Sequence, residues 1–383
     1  MIIHNANYKS SQSICQSLQL NFHSVLIFSE KQYIIESTVE GIGKKPEKRR
    51  QRKGKVRPPF FAPCIGERTN GKQNSIVEQI NKYMSARNDY MRLLIYGAGV
   101  IGCLYATLFC EAGYDTTIYA RGKRLESLKK YGLCYIKNRK RMKVTPRIIE
   151  NVTNEDTYDF IFLTVRENQV HQALKELRNN NSPNIVTMVN TIEPYSDWEK
   201  ICGKGRIIPA FPGAGGSFDG NILKADLTPR LIQPTTFAEI NGMETERIMM
   251  LSAIFRQSHI PYQIVRDMHD WQICHLAMVV PVADAYYEAD NPKKAGKEKT
   301  LMCRTAKRMK RNYITLHNLG IVISPKKMNV FRFIPITFLR IGLSVIFQSD
   351  FGRMFMYQHS MKAPDEMRQL HRQFYKYIKT ELN

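Results

Sequence analysis

The sequence holds eight cysteines in 383 residues, yet no two form a Cys-x-x-Cys pair and none has zinc-site spacing. Neither a structural metal knot nor a thioredoxin-type redox motif is therefore encoded, and no metal site is expected. The chain shows no secretory signal, so the thiols read as reduced and the compartment as cytoplasmic. Long uninterrupted apolar runs are missing too. Residues 330–347 come nearest, but Arg332, Pro335 and Arg340 break them, and a buried helix rather than a membrane span is expected. Acid is scarce: 34 Asp and Glu stand against 57 Lys and Arg, a net charge of +23. Such a chain binds polyanions at low salt. It lacks an aromatic RNA-binding signature or a basic zipper, so no specific nucleic-acid partner is expected. A phosphate-rich cofactor and an acidic substrate account for part of the excess, and surface lysines for the rest.

What is present centres on one stretch. Residues 92–96 are short, apolar and β-prone, and run directly into Gly97-Ala98-Gly99-Val100-Ile101-Gly102. Small and apolar residues follow to Cys110 and suit a buried helix. Strand, three-glycine turn and helix together form the context of a dinucleotide site. Gly97 allows the tight turn, Gly99 lets the backbone approach a pyrophosphate, and Gly102 lets helix and strand pack closely. The phosphates would sit at the positive end of the helix. A second strand, residues 116–119, ends on Tyr119-Ala-Arg-Gly-Lys-Arg124 with no acid to hold a ribose 2′-hydroxyl. Arg121, nineteen positions after Gly102, instead offers a guanidinium to a 2′-phosphate, and NADP is the expected cofactor.

The rest divides by character. Residues 1–90 read as a basic, disordered extension. Segments 22–28 and 32–35 suit short strands, and residues 44–57 carry nine basic residues and one acid. Residues 91–265 alternate strands and helices. Strands are expected at 133–136 and 144–149, joined by a basic turn at 137–143. The apolar run 158–165 is the clearest buried parallel strand, with Arg166 and Glu167 at its carboxyl end, where ligands bind in open α/β sheets. Asn190 ends the strand 184–189. A strand at 207–211 leads into a Gly-rich loop, 212–216, read as a tight turn on the structural or substrate side because no suitable helix follows. Residues 266–383 read as helical. A long helix begins at 267 and carries Trp271 and His275, a basic amphipathic helix covers 301–319, and Pro364, Asp365 and Glu366 open the last one.

The glycine motif, the arginine turn at 121, the strand 159–166 and the Asp270-Trp271 helix together resemble 2-dehydropantoate 2-reductase, or ketopantoate reductase, over about residues 91–380. The resemblance implies an α/β Rossmann-type N-terminal domain followed by an all-helical C-terminal domain like that of 6-phosphogluconate dehydrogenase, with the active site between them. It implies NADPH-dependent reduction of a small 2-keto acid to the 2-hydroxy acid, on the route to pantothenate; the reading admits a homodimer. Carried over by position, Arg121 matches the arginine for the 2′-phosphate. Arg166 stands where a lysine is usual, near cofactor and substrate. Asn190 matches the asparagine of a Gln-Asn-Gly motif, which reads Val-Asn-Thr here. The general acid of these reductases is a lysine two residues after the Trp, where this chain has Ile273. His275, one turn beyond Trp271, is the substitute proton donor expected to titrate near neutrality, and Ile273→Lys is expected to raise the rate. His359 and Glu366 are further candidates. The alternative reading, of another class, is a catalytically impaired NADP-binding protein serving as a sensor or interaction module.

Overall fold

Strands and helices alternate from residue 92 because β-branched and aromatic runs are cut by glycine turns. The computed structural model describes residues 91–380, all within one compact unit, Asn74–Asn383; the arm expected at 1–90, with its basic run and two short strands, lies outside them. The elements are β1 (Arg92–Tyr96), α1 (Val100–Glu111), β2 (Asp115–Tyr119), α2 (Gly122–Tyr131), β3 (Leu133–Lys137), β4 (Lys140–Val144), β5 (Arg147–Ile149) and β6 (Phe160–Leu163). They continue with α3 (Val170–Glu176), β7 (Ile185–Met188), α4 (Tyr195–Cys202), β8 (Ile207–Phe211), β9 (Ala214–Asp219), β10 (Ile222–Leu227) and β11 (Thr235–Phe237). After these come α5 (Glu246–Gln257), β12 (Tyr262–Ile264), α6 (Met268–Glu288), α7 (Lys299–Asn318), α8 (Ile336–Gln348), α9 (Gln358–Lys362) and α10 (Pro364–Thr380).

The main sheet has the order β12-β11-β8-β7-β6-β1-β2-β5. From β5 to β8 every neighbouring pair is parallel, and β11 then joins β8 antiparallel. This is the doubly wound arrangement, with its switch point between β1 and β6, where the crevice for a ligand opens at the strands' carboxyl ends. Alternation along the strands fills both faces. Leu93, Ile95, Phe160 and Phe162 pack with Phe109 of α1 and Phe255 of α5. Leu94, Tyr96, Ile161 and Leu163 pack on the other side with Leu174 and Trp198. Thr245 caps α5 by accepting from the Ile248 N–H.

Helices dominate after β12. Asp267 caps α6 through the Asp270 N–H. Ile273, Leu276, Val280, Met309, Tyr313, Leu343 and Phe374, from α6, α7, α8 and α10, share one apolar cluster. The fold class expected from the sequence, a Rossmann-type α/β region followed by a helical C-terminal region, is present. Among the described residues no helix is long and apolar enough to cross a membrane, and no His, Cys, Asp or Glu cluster suits a metal ion.

Two segments differ from expectation. Residues 137–143 form a hairpin rather than a basic turn, with Asn138 and Arg139 both at positive φ, as a two-residue connection requires. Residues 214–227, expected to begin as a loop, make the β9–β10 hairpin, and these strands complete a second sheet, β4-β3-β10-β9. The four residues from 140 to 143, three of them lysine or arginine, and the glycines at 215 and 216 hide the alternation that identifies a strand: β4 is exposed almost throughout and β9 is evenly half-buried.

Candidate cofactor and substrate site

The carboxyl ends of β1, β2 and β6 surround a cavity of about 280 Å³ lined by Gly97, Ala98, Gly99, Arg121, Arg124 and Arg166, among others. Gly97 has φ of +120°, which a side chain would strain. A Cβ at Gly102 would lie 2.0 Å from the Gly97 carbonyl oxygen, so only glycine lets α1 approach β1 this closely. A Cβ at Gly99, by contrast, would meet nothing within 4 Å and project into free space. Gly99 is the N-cap of α1 without a side-chain cap, and the first turn carries no acid. Its open N–H groups and the helix dipole therefore favour an anion. The Thr164 hydroxyl donates to the Gly97 carbonyl at 2.9 Å and fixes the turn against β6.

Sequence reasoning missed Arg124. Its Nε donates to the Ala98 carbonyl at 3.1 Å and Nη2 points to the Cys103 Sγ at 3.3 Å, while its guanidinium lies 4.0 Å over the Phe218 ring. It braces the glycine turn from the first turn of α2. Arg121 is exposed, lies 5.6 Å over the Tyr119 ring and pairs with Glu176 at 3.4 Å. The acid absent from the end of β2 is thus supplied by the last residue of α3, brought in by the fold. Arg166 is exposed just past β6, and among the described residues no carboxylate pairs with its guanidinium.

Asn190, two residues past β7, is 6 % exposed, and its Oδ1 has no hydrogen-bond partner among the described residues. Beside it, Gln272 of α6 donates to the Val189 carbonyl at 3.0 Å and accepts from the Thr191 N–H at 2.6 Å. This ties the long helix to the edge of the crevice. Trp271 and His275 are brought together, as their helical spacing implies: the rings stack 5.2 Å apart, and His275 lies 4.5 Å from Phe211 at the end of β8. The neutral-pH titration expected of His275 is corrected. Burial, with the charge of nearby His359 adding to it, pushes its pKa down to about 3, so the ring is neutral at pH 7. Ile273 also departs from expectation. It is fully buried in the helical core rather than facing the crevice.

The lowered pKa has a stability consequence. Between pH 6.5 and about 3 the unfolded histidine binds a proton that the folded one refuses, so stability falls as pH falls through this window. The His275 contribution is about 1.4 kcal/mol per pH unit. Urea titrations at pH 6 and pH 4 should therefore show a smaller acid loss for His275→Phe than for the wild type. Equal losses would mean that His275 ionises freely in the fold.

Helix α10 packs against the turn that follows β6. Glu167, after β6, accepts from Gln369 Nε2 at 2.6 Å and from Gln373 Nε2 at 3.0 Å, and its own N–H donates to Glu366 at 3.4 Å. Burial raises the Glu167 pKa, the hydrogen bond from Gln373 opposing and the neighbouring carboxylates adding. His359 keeps solvent access but is crowded by protein, and this enclosure lowers its pKa against the pull of Glu366.

The doubly wound sheet, glycine turn and uncapped helix define a Rossmann-type fold. Its sequence is more particular: residues 93–221 match the family Ketopantoate reductase PanE/ApbA, and the resemblance read from the motifs is borne out. The uncharacterized oxidoreductase YkpB of Bacillus subtilis is 24% identical over 169 residues, 43% of this chain and 54% of that protein. The chain therefore matches about half the length of this relative. Among solved structures, 2-dehydropantoate 2-reductase from Geobacter metallireducens GS-15 superposes with a TM-score of 0.62 at 15% identity, covering 76% of this chain and 94% of that one. D-mandelate dehydrogenase with NADH and anilino(oxo)acetate gives 0.53 at 13% identity, covering 76% and 99%. The 2-dehydropantoate 2-reductase from Porphyromonas gingivalis W83 gives 0.52 at 13%, covering 75% and 99%.

Proposed function

We propose that the chain is an NADPH-dependent reductase of a small, ketopantoate-like 2-keto acid, forming the 2-hydroxy acid on the route to pantothenate in the cytoplasm. The observation that carries this reading is the uncapped start of α1, where free space at Gly99 faces a cavity ringed by Arg121, Arg124 and Arg166. In this reading residues 91–265 hold the cofactor and 266–383 form the substrate wall, apart from the arm at 1–90. The backbone from Gly97 through Ala98, Gly99, Val100 and Ile101 to Gly102 holds the pyrophosphate, and Arg121 holds the 2′-phosphate. The orphan Asn190 oxygen accepts from a ligand donor, and Arg166 binds the substrate carboxylate or its developing negative charge. The bound reduced nicotinamide supplies hydride. His275 serves as a neutral N–H hydrogen-bond donor to the substrate oxygen, since burial keeps it from being an imidazolium, and water supplies the proton that completes the hydroxyl. D-mandelate dehydrogenase, of the same fold, was solved with NADH and anilino(oxo)acetate, which supports the substrate class.

A second reading is favoured by Ile273 in the core together with the neutral His275: an NADP-binding protein that turns nothing over and acts as a sensor. Titrating the protein with NADPH and then screening 2-keto acids for loss of nicotinamide absorbance separates the two. Turnover supports the reductase, and tight NADPH binding without turnover supports the sensor. Within either reading, Arg121→Ala should weaken NADPH binding by about 2 kcal/mol, the scale of a charge-assisted contact, and leave NADH nearly unchanged. Equal losses for both cofactors in a binding titration would remove Arg121 from the 2′-phosphate.

A further inference from the structure

On the other side of Arg121 lies a second cavity of about 410 Å³ lined by Tyr119, Arg121, Glu150, Asn151, Val152 and Glu176. For a 2′-phosphate pocket its charge is unusual. Arg121 is offset by Glu176, and Glu150 is paired with Lys129 at 3.1 Å. Glu176 does not depend on Arg121 for its place. Its carboxylate accepts from the hydroxyls of Tyr96 and Tyr119, the latter at 3.3 Å, and from Gln172 Nε2 at 3.1 Å. The two tyrosine rings stack at 4.3 Å and hold those hydroxyls side by side. Partial burial raises the carboxyl's pKa, but the hydrogen bonds from Tyr96 and Gln172, the Arg121 charge and the Tyr119 hydroxyl together hold it below the usual range, so it is ionised. Three neutral donors therefore fix a carboxylate beside the arginine expected to read the ribose.

We propose that Glu176 is a cofactor-specificity residue that accepts from the adenosine ribose hydroxyl of NADH and opposes the 2′-phosphate of NADPH, so that this site takes both cofactors. The proposal rests on reading the cavity as a dinucleotide site. An acid at this point serves an unphosphorylated ribose as the strand-end Asp or Glu does elsewhere, although here it arrives from a helix 55 residues after Arg121. When NADPH binds, Arg121 must exchange Glu176 for the phosphate, and the carboxylate left behind repels the same group. When NADH binds, the ion pair stays and Glu176 gains a donor.

The test is direct binding of NADH and NADPH to the full chain, wild type and Glu176→Gln, by titration calorimetry. Gln keeps an acceptor for the tyrosine hydroxyls while removing the charge. The expected result is that both cofactors bind the wild type with affinities within about tenfold, and that E176Q tightens NADPH about tenfold while weakening NADH. Arg121→Gln, which leaves the Glu176 cradle intact, should move preference the opposite way and serves if E176Q does not fold. Dinucleotide binding with an unchanged preference in both variants would overturn the role of Glu176 and leave the dinucleotide site standing. Failure of the wild type to bind either cofactor would overturn both.

Discussion

Ile273→Lys is expected to destabilise the fold by about 4 kcal/mol, the cost of an unpaired charge in a packed interior, rather than to raise the reaction rate. Ile273 is fully buried and belongs to the same cluster as Leu276, Val280, Tyr313 and Phe374. Its neighbours on α6 divide the helix differently. Trp271 packs with the sheet-side cluster, Gln272 bonds to the Val189–Thr191 turn, and His275 stacks on Trp271 toward Phe211. An ammonium at 273 would therefore enter apolar packing between helices, and the close fit of the branched isoleucine side chain would go with it. Denaturant unfolding followed by far-UV circular dichroism measures the loss. A variant of wild-type stability with faster keto-acid reduction would instead place position 273 at the crevice.

That result would mark the limit of reading a site by position. The spacing from Trp271 locates 273 correctly in sequence, but the side of the helix it occupies is set by how α6 packs on α7 and α10. The glycine turn was legible because strand, turn and helix are contiguous, and each glycine has a local reason visible in a dozen residues. The parallel core was legible for the same cause: β1, β6 and β7 are buried on both faces and read as continuous apolar runs. What lay hidden is assembled across the chain. Glu176 reaches Arg121 only because β6 lies beside β1, and Glu167 meets Gln369 and Gln373 across some two hundred residues. The β9–β10 hairpin escaped notice because its glycines serve close packing. A Cβ at Gly215 would meet the Phe355 ring at 2.6 Å, and one at Gly216 the Ala225 backbone at 2.4 Å. The protonation state of His275 was equally out of reach, being fixed by burial rather than by neighbours in sequence.

The two glycines that look alike in the motif should behave in opposite ways when given a methyl group. Gly102→Ala places a Cβ 2.0 Å from the Gly97 carbonyl oxygen, 2.5 Å from the Thr164 hydroxyl and 2.9 Å from the Ile95 side chain. Two of those atoms belong to the turn and to its brace on β6, so α1 must move off the sheet. A loss of about 3 kcal/mol is expected, as for other overpacked sites, and cofactor binding should fail with it. Gly99→Ala meets no protein atom within 4 Å, and its φ of −74° suits any residue. Its stability should stay within about 0.5 kcal/mol of the wild type. If a pyrophosphate lies against that backbone, the new methyl occupies its place, and NADPH affinity should drop roughly a hundredfold through lost close approach. Thermal unfolding and NADPH titration on both variants therefore separate what holds the fold from what holds the ligand. A Gly99→Ala protein that binds NADPH as tightly as the wild type would remove the pyrophosphate from the start of α1, whatever Gly102→Ala does.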